Sequence, residues 1–116
     1  MDIKPDNILI TKEGTLKLCD FSFSMASNGF VNKKMGSGAY MAPELHGASN
    51  IPCKAQPTDL FSLGVLFFVL AFGAPPFQSA DESEGYFCFL KSRPGSKDFF
   101  RFHEKTRSLF SSKKIP

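Results

Sequence analysis

Two short apolar runs stand near the start of the chain with a polar turn between them. Ile8-Leu9-Ile10 and Thr15-Leu16-Lys17-Leu18-Cys19 flank the segment Thr11-Lys12-Glu13-Gly14. Short apolar runs on both sides of a glycine-containing turn predict a β-hairpin. A hairpin returns the chain to its starting point. Asn7, before the first strand, and Asp20, after the second, are therefore expected to lie close together.

A longer apolar run extends from Leu60 to Phe77 and is broken by Ser62, Gly64, Gly73 and two prolines. It predicts a helix over residues 59–72, with Thr58 as the N-cap and Gly73 at the end. The unbroken helical part is only about a dozen residues, whereas a bilayer requires about 20. We therefore expect a buried core helix rather than a membrane span.

The C-terminal third contains two weaker helical patterns. An acidic run at residues 81–84 opens the first, residues 93–95 (Arg-Pro-Gly) break it, and residues 99–110 carry a second apolar face at helical spacing.

The chain has 116 residues, 42% of them hydrophobic and 22% charged. Those values are typical of one ordinary globular domain with its own core.

The net charge of +3 is unevenly distributed along the chain. Residues 1–90 carry six Lys/Arg against nine Asp/Glu, a net of −3, and residues 91–116 carry eight against two, a net of +6. A basic tail can attract nucleic acid or an acidic membrane. A solvated surface is the favoured interpretation, because Phe99, Phe100 and Phe102 resemble packing residues more than a base-stacking platform. No nucleic-acid partner is predicted.

The number and spacing of the cysteines indicate whether the protein occupies a reducing or an oxidising compartment. Cys19, Cys53 and Cys88 are widely spaced and odd in number, and neither histidine lies at ligand spacing from any of them. A disulfide framework or zinc site is therefore not expected. The N-terminus lacks the apolar stretch of a signal peptide. Together these features predict a soluble, intracellular (cytoplasmic) protein.

The predicted hairpin places three oxygen-bearing side chains near one another: Asp2, Asn7 and Asp20. Carboxylate and amide oxygens suit a hard cation such as Mg²⁺, which keeps part of its water shell. The alternative is a plain surface turn, because Pro5-Asp6-Asn7 is good turn chemistry in any fold.

Four motifs occur in order along the chain: D-I-K-P-D-N at residues 2–7, D-F at 20–21, M-A-P-E at 41–44 and D-L-F-S-L-G-V at 59–65. They resemble the eukaryotic protein kinase family of the serine/threonine type, whose pattern is H-R-D-x-K-x-x-N, then D-F-G, then A-P-E. Any one motif would be weak, but the ordered set is specific. The resemblance implies an α+β, mainly α fold: the large C-terminal lobe of a kinase with a short β-hairpin and no small lobe.

The resemblance also divides residues 1–116, as a partial kinase domain, into segments. These are a catalytic loop (1–7), an activation segment (20–44), a central buried helix (59–72) and a poorly matched basic C-terminal part (81–116). It implies ATP and Mg²⁺ as cofactors and a protein as substrate. Phosphorylation of serines such as Ser24 and Ser27 could order the activation segment.

Roles for the catalytic-loop residues follow from the same resemblance. Asp2 would orient the substrate hydroxyl and accept its proton, and Lys4 would reach the γ-phosphate. Asn7 and Asp20 would bind the metal ion and, together with Lys4, hold the nucleotide.

Five further residues take supporting roles in the resemblance. Ser37 and Tyr40 lie at the substrate-docking end of the activation segment. Phe21 would pack beneath the metal-binding aspartate, and Asp59 would bond to the catalytic-loop backbone. Glu44 would form a buried ion pair, but no position of this chain matches the arginine partner.

Several family features are missing from the sequence. Ser22 replaces the glycine of D-F-G, and Met1 stands where the arginine of H-R-D would be. The chain also lacks the glycine-rich loop, the V-A-I-K lysine and its glutamate partner. The favoured interpretation is a fragment of a serine/threonine kinase that transfers negligible phosphate alone. The alternative is a non-catalytic, pseudokinase-like remnant that acts as a protein-interaction module.

Overall fold

A computed structural model of the chain describes residues 2–21, 29–31, 38–46, 52–81, 83–92 and 98–108. This part of the chain is helix-rich and carries small antiparallel strand pairs. The strands are β1 (Ile8–Ile10), β2 (Leu16–Leu18), β3 (Phe30–Val31) and β4 (Cys53–Lys54), and the helices are α1 (Ala55–Phe72), α2 (Gly85–Ser92) and α3 (Asp98–Phe102). Short 3-10 turns lie at Pro5–Asn7, Gly38–Tyr40 and Pro43–Leu45.

The predicted hairpin is confirmed. β1 and β2 pair antiparallel, with Ile8 opposite Leu18. In the turn, the Gly14 N–H donates to the Thr11 carbonyl at 3.0 Å, and the Thr15 N–H donates to the Thr11 hydroxyl at 3.0 Å. Gly14 has a φ of 85°, in the left-handed region that glycine adopts without steric cost.

The start of α1 differs from the sequence prediction. The helix begins at Ala55 rather than Asp59, after β4, and its N-cap Lys54 makes no side-chain capping bond. Pro57 is tolerated because the N–H groups of a first helical turn have no intrahelical partner. Thr58 is therefore not the N-cap. Its hydroxyl lies inside the helix and donates to the Ala55 carbonyl at 2.6 Å.

The end of α1 agrees with the prediction. The helix stops at Phe72, and Gly73 follows with a φ of 81°. The Gly73 N–H donates to the Val69 carbonyl at 2.8 Å, which satisfies one of the last helical carbonyls.

The predicted burial of α1 holds for one face of the helix only. Its buried residues lie on one face: Ala55, Thr58, Ser62, Val65 and Leu66. On the opposite side Leu60, Phe67 and Leu70 are 69%, 61% and 70% exposed, because the described residues pack against one face only. By length and composition alone α1 would pass as a membrane span, which is weak evidence from a single helix.

The core lies between the inner face of α1 and the segments that follow and precede it. One cluster joins Val65 of α1 to Ala39, Phe77, Ala80 and Phe87. A second, smaller cluster joins the first residue of α1 to Ala42 and Leu45. The 3-10 turns at 38–40 and 43–45 are thus fixed on α1 by apolar packing.

The C-terminal helices are shorter than the sequence patterns predict. The first begins at Gly85, not at Asp81, because Glu84 caps it: the Glu84 carboxylate accepts from the Tyr86 and Phe87 N–H groups at 3.2 and 3.3 Å. The second is helical over Asp98–Phe102 and again at residues 107 and 108, so the predicted helix is interrupted at residues 103–106. Residues 109 and 110 of the predicted face lie outside the described part of the chain.

The predicted packing role of Phe99 is confirmed, because its side chain is only 3% exposed. Beside it lies a residue that the sequence did not single out as structural. His103 is 2% exposed, and its Nε2 atom lies 2.8 Å from the Pro76 carbonyl oxygen. This contact ties α3 to the turn that follows α1.

Candidate functional site

The predicted catalytic loop forms a closed local network. The turn Pro5–Asn7 leads into β1, and the Asn7 backbone N–H donates to the Lys4 carbonyl at 3.0 Å. The Asn7 side chain, 9% exposed, donates from Nδ2 to the Asp2 carbonyl at 2.7 Å. The loop that carries Asp2 is therefore held by the amide of Asn7.

The side chains of Asp2 and Lys4 lie in contact within this loop. Lys4 Nζ lies 3.4 Å from Asp2 Oδ2, and the two side chains are 24% and 11% exposed. The two side chains predicted to do the chemistry thus share one site, with opposite charges in contact.

The hairpin brings Asp20 to the same place. The Cys19 N–H donates to the Asn7 carbonyl at 2.8 Å, so the residue that precedes Asp20 is bonded directly to Asn7. Asp20 is exposed, and its φ of 61° lies in the left-handed region. Aspartate is among the few non-glycine residues that adopt this region, at a cost of about 1–2 kcal/mol. Backbone strain of this kind clusters at functional sites.

The oxygen atoms at this hairpin end fit a hard divalent cation. Asp20 offers a solvent-exposed carboxylate. Asn7 uses its amide nitrogen within the loop, which leaves the amide oxygen as the atom suited to a metal. Mg²⁺ is usually bound through one or two such ligands together with water and substrate phosphates. Within the described ranges, no group of three or more His, Cys, Asp or Glu residues could hold a metal by itself.

Two of the predicted structural-support residues are placed differently from the prediction. Phe21 is 59% exposed and does not pack beneath Asp20. Glu44, in the turn Pro43–Leu45, is exposed rather than buried in an ion pair. An exposed glutamate keeps its hydration, so the expected cost of a buried, unpaired charge does not arise.

Other predicted residues are untested or lie outside the described part. Asp59 is half-buried in α1, and its support of the catalytic loop stays a prediction. Ser22, Ser24, Ser27 and Ser37 fall in residues that the structure does not describe.

Tyr40, the other predicted docking residue, lies beside α1, where its carbonyl accepts from the Ser62 hydroxyl. Its side chain is half-buried and packs on the cluster that contains Ala39 and Val65. Burial raises the pKa of the Tyr40 phenol, and the negative charge of Asp6 raises it further.

Sequence reasoning missed the roles of Asp6 and Ser62. The Ser62 hydroxyl, buried on the inner face of α1, donates to the Tyr40 carbonyl at 2.6 Å. The signal in the sequence is a serine within an apolar helical run, a position where a buried hydroxyl needs a hydrogen-bond partner. Asp6 carried no signal beyond its turn propensity.

Comparisons with known proteins agree with the motifs. The family model described as "Protein kinase domain" matches residues 1–112. The chain is 40% identical over 81 residues to "Serine/threonine-protein kinase ppk34" of Schizosaccharomyces pombe, an alignment that covers 68% of this chain and 23% of that protein. It is 39% identical over 101 residues to "Ribosomal protein S6 kinase alpha-3" of Homo sapiens, which covers 84% of this chain and 13% of that protein.

A third relative extends the alignment almost to the end of the chain. "Ribosomal protein S6 kinase alpha-1" of Homo sapiens is 35% identical over 114 residues, which is 94% of this chain and 15% of that protein. The chain spans less than a quarter of the length of each of these three relatives.

Proposed function

Because this chain belongs to the eukaryotic protein kinase family, we propose that its hairpin end is the floor of a phosphotransfer site. The site would transfer the γ-phosphate of ATP to a serine or threonine hydroxyl of a protein. The observation that carries the proposal is the hydrogen bond from the Cys19 N–H to the Asn7 carbonyl at 2.8 Å. It joins the end of the hairpin next to Asp20 to the predicted catalytic loop. In the same proposal the described residues belong to the large C-terminal lobe of the kinase fold.

Asp2 is the proposed base. Its carboxylate would hold the acceptor hydroxyl and take the proton as the oxygen–phosphorus bond forms and the bond to the leaving oxygen of the diphosphate breaks. The Lys4 ammonium, 3.4 Å from that carboxylate, supplies positive charge where negative charge develops on the transferred phosphoryl group.

Asn7 and Asp20 are the proposed residues that hold Mg²⁺. The bound ion would neutralise phosphate charge. The hydrogen bond from the Asn7 side-chain amide to the Asp2 carbonyl keeps the metal-binding and base residues in one loop. Tyr40 would line the surface on which the acceptor segment docks. Transfer by this chain alone is proposed to be negligible, since the sequence holds no glycine-rich loop and no phosphate-clamping V-A-I-K lysine.

We place the protein in a reducing, intracellular compartment. The supporting observation is that all three cysteines lie in the described part of the chain and none forms a disulfide. The inner-face packing of α1 against Phe77 and Phe87 supports a core helix rather than a membrane span.

The proposal predicts that this chain binds ATP weakly and only with Mg²⁺. In ¹⁵N-resolved NMR, ATP with Mg²⁺ is expected to shift the Asn7, Cys19 and Asp20 amide signals, and ATP with EDTA is not. The Asp20→Asn variant should lose at least roughly tenfold in affinity, because the amide removes the charge that attracts the ion. The Asp81→Asn variant is the matched control, since that carboxylate is engaged by Ser79 and Ser83 in the turn before α2.

Amide signal shifts that are equal with EDTA, or that survive Asp20→Asn unchanged, would contradict the assignment of Asp20.

A protein-interaction module is the second candidate function, favoured by the exposure of Phe21 and Leu9, 59% and 57%. The genomic sequence upstream of Met1 distinguishes the two. An in-frame H-R pair and glycine-rich loop favour the enzyme, and immediate stop codons favour the module.

A further inference from the structure

We propose that Ser62 is a positioning residue for substrate docking, because its hydroxyl holds the backbone of Tyr40 against α1. This inference rests on the proposed function, in which the turn Gly38–Tyr40 belongs to the surface that receives the acceptor protein. Ser62 lies 22 positions from Tyr40 in sequence and is 8% exposed. Its hydroxyl is therefore used inside the protein, not in solvent.

The geometry shows which acceptor the hydroxyl prefers. Ser62 Oγ lies 2.6 Å from the Tyr40 carbonyl oxygen and 3.2 Å from the Thr58 carbonyl oxygen. A serine inside a helix ordinarily donates to the carbonyl four positions earlier, which here is Thr58. The hydroxyl has one hydrogen, and the shorter distance assigns it chiefly to Tyr40. The Ser62 hydroxyl could donate within α1, but its shorter hydrogen bond joins α1 to the turn Gly38–Tyr40.

The same turn is also held by apolar packing. Ala39, 8% exposed, packs into the core with Val65 and Phe77, and the half-buried Tyr40 side chain packs against the same cluster. Burial raises the pKa of the Tyr40 phenol, and the negative charge of Asp6 raises it further. Ser62 thus fixes the main chain of the residue whose side chain carries this raised pKa. A displacement of the Tyr40 backbone would therefore move the docking surface relative to Asp2.

The chain offers a direct readout of the position of Tyr40. It contains two tyrosines and no tryptophan, so the near-ultraviolet absorbance of tyrosinate reports on very few groups. In a Tyr86→Phe background the titration reports Tyr40 alone. The Asp6→Asn variant calibrates the readout, because removal of that charge must lower the raised Tyr40 pKa.

In that background, the Ser62→Ala variant is expected to lower the Tyr40 pKa toward its ordinary value, because the released turn becomes better hydrated and less close to Asp6. Ser62→Thr, which keeps the hydroxyl, should restore the shift. Thr58→Val is the matched control. It removes a buried hydroxyl one turn earlier in α1 whose bond goes to Ala55 within the helix. A role of Ser62 in helix stability alone would leave the Tyr40 titration unchanged in all three variants.

A second measurement connects the position of the turn to docking. Binding of dephosphorylated casein to the Ser62→Ala variant should weaken roughly fivefold, the equivalent of one neutral hydrogen bond. The response of the Asn7 and Asp20 amides to ATP with Mg²⁺ should not change. If unmodified chain shows no such response while Ser62→Ala still shifts the Tyr40 pKa, the proposed kinase function fails and the positioning role stands.

The result that overturns the inference is a folded Ser62→Ala variant, verified by circular dichroism, with the Tyr40 pKa and casein affinity of the unmodified chain. If Ser62→Ala does not fold, Ser62→Cys is titrated instead, because a thiol keeps the volume but is a weaker donor. An intermediate Tyr40 pKa in that variant supports the inference, and an unchanged one overturns it.

Discussion

Replacement of His103 by alanine is expected to lower the free energy of unfolding by about 3–5 kcal/mol, the range measured for loss of a large buried ring. The imidazole is 2% exposed and is surrounded by the rings of Phe68, Tyr86 and Phe99, at centroid distances of 5.3, 4.5 and 5.3 Å. Urea unfolding followed by far-ultraviolet circular dichroism measures the change.

Both ring nitrogens of His103 contribute to this effect. Nε2 lies 2.8 Å from the Pro76 carbonyl, which can only accept, so the proton is on Nε2. Nδ1 accepts from the Lys105 backbone N–H at 3.1 Å. The ring thus satisfies one acceptor and one donor, and its removal takes this donor from the buried Pro76 carbonyl.

Two further variants separate the hydrogen bonds of His103 from its bulk. His103→Phe keeps the ring but not the bonds, and we expect a loss of about 1–3 kcal/mol. Glu104→Ala, at the exposed neighbouring position, should stay within about 0.5 kcal/mol of the unmodified chain. A loss below about 1 kcal/mol for His103→Ala would show that α3 is not held by this residue.

The exposed face of α1 is expected to make the chain self-associate. An apolar groove of about 340 Å³ lies between α1 and the hairpin, with Ile10, Leu16, Phe67 and Leu70 among its lining residues. Contiguous exposed apolar surface of this kind promotes association. The double variant Phe67→Gln, Leu70→Gln should weaken self-association at least roughly tenfold, because each buried side chain contributes about 1.5 kcal/mol or more.

Sedimentation velocity over a range of concentrations measures that effect. Leu9→Gln is the matched control, because Leu9 is an exposed apolar residue of the hairpin, 57% exposed, that does not line the groove. An unchanged association constant in the double variant, or an equal effect of Leu9→Gln, would show that the groove is not the associating surface.

Local features of the fold were predictable from sequence. The hairpin follows from two apolar runs and the glycine at position 14, whose φ of 85° the turn requires. The end of α1 follows from Gly73. The start of α1 was not predictable, because Pro57 indicates a loop but is also tolerated in the first turn of a helix. A polar residue such as Thr58 resembles a cap unless the preceding turn is known to be helical.

Features that depend on distant contacts were beyond sequence reasoning. The burial of α1 depends on which neighbours reach each face, and composition alone predicted burial on all sides. The bond from Ser62 joins residues 22 positions apart, and the contact of His103 with Pro76 joins residues 27 apart. No local pattern encodes the choice of such partners. The motifs predicted Asp2, Lys4, Asn7 and Asp20 as site residues, and the contacts of Asp2 with Lys4 and Asn7 agree with that grouping. The predicted surroundings of Glu44 and Phe21 depended on tertiary packing.

The location of a divalent cation tests the central claim most directly. Mn²⁺, a paramagnetic substitute for Mg²⁺, is added with ATP to the ¹⁵N-labelled chain at substoichiometric amounts, and amide signals near the ion broaden. We expect the amide signals of Asn7, Cys19 and Asp20 to broaden before those of Asp81 and Ser83, and this broadening to be lost in the Asp20→Asn variant. Broadening that is strongest at Asp81, or that is unaffected by Asp20→Asn, would contradict the assignment of a metal–nucleotide site to the hairpin end.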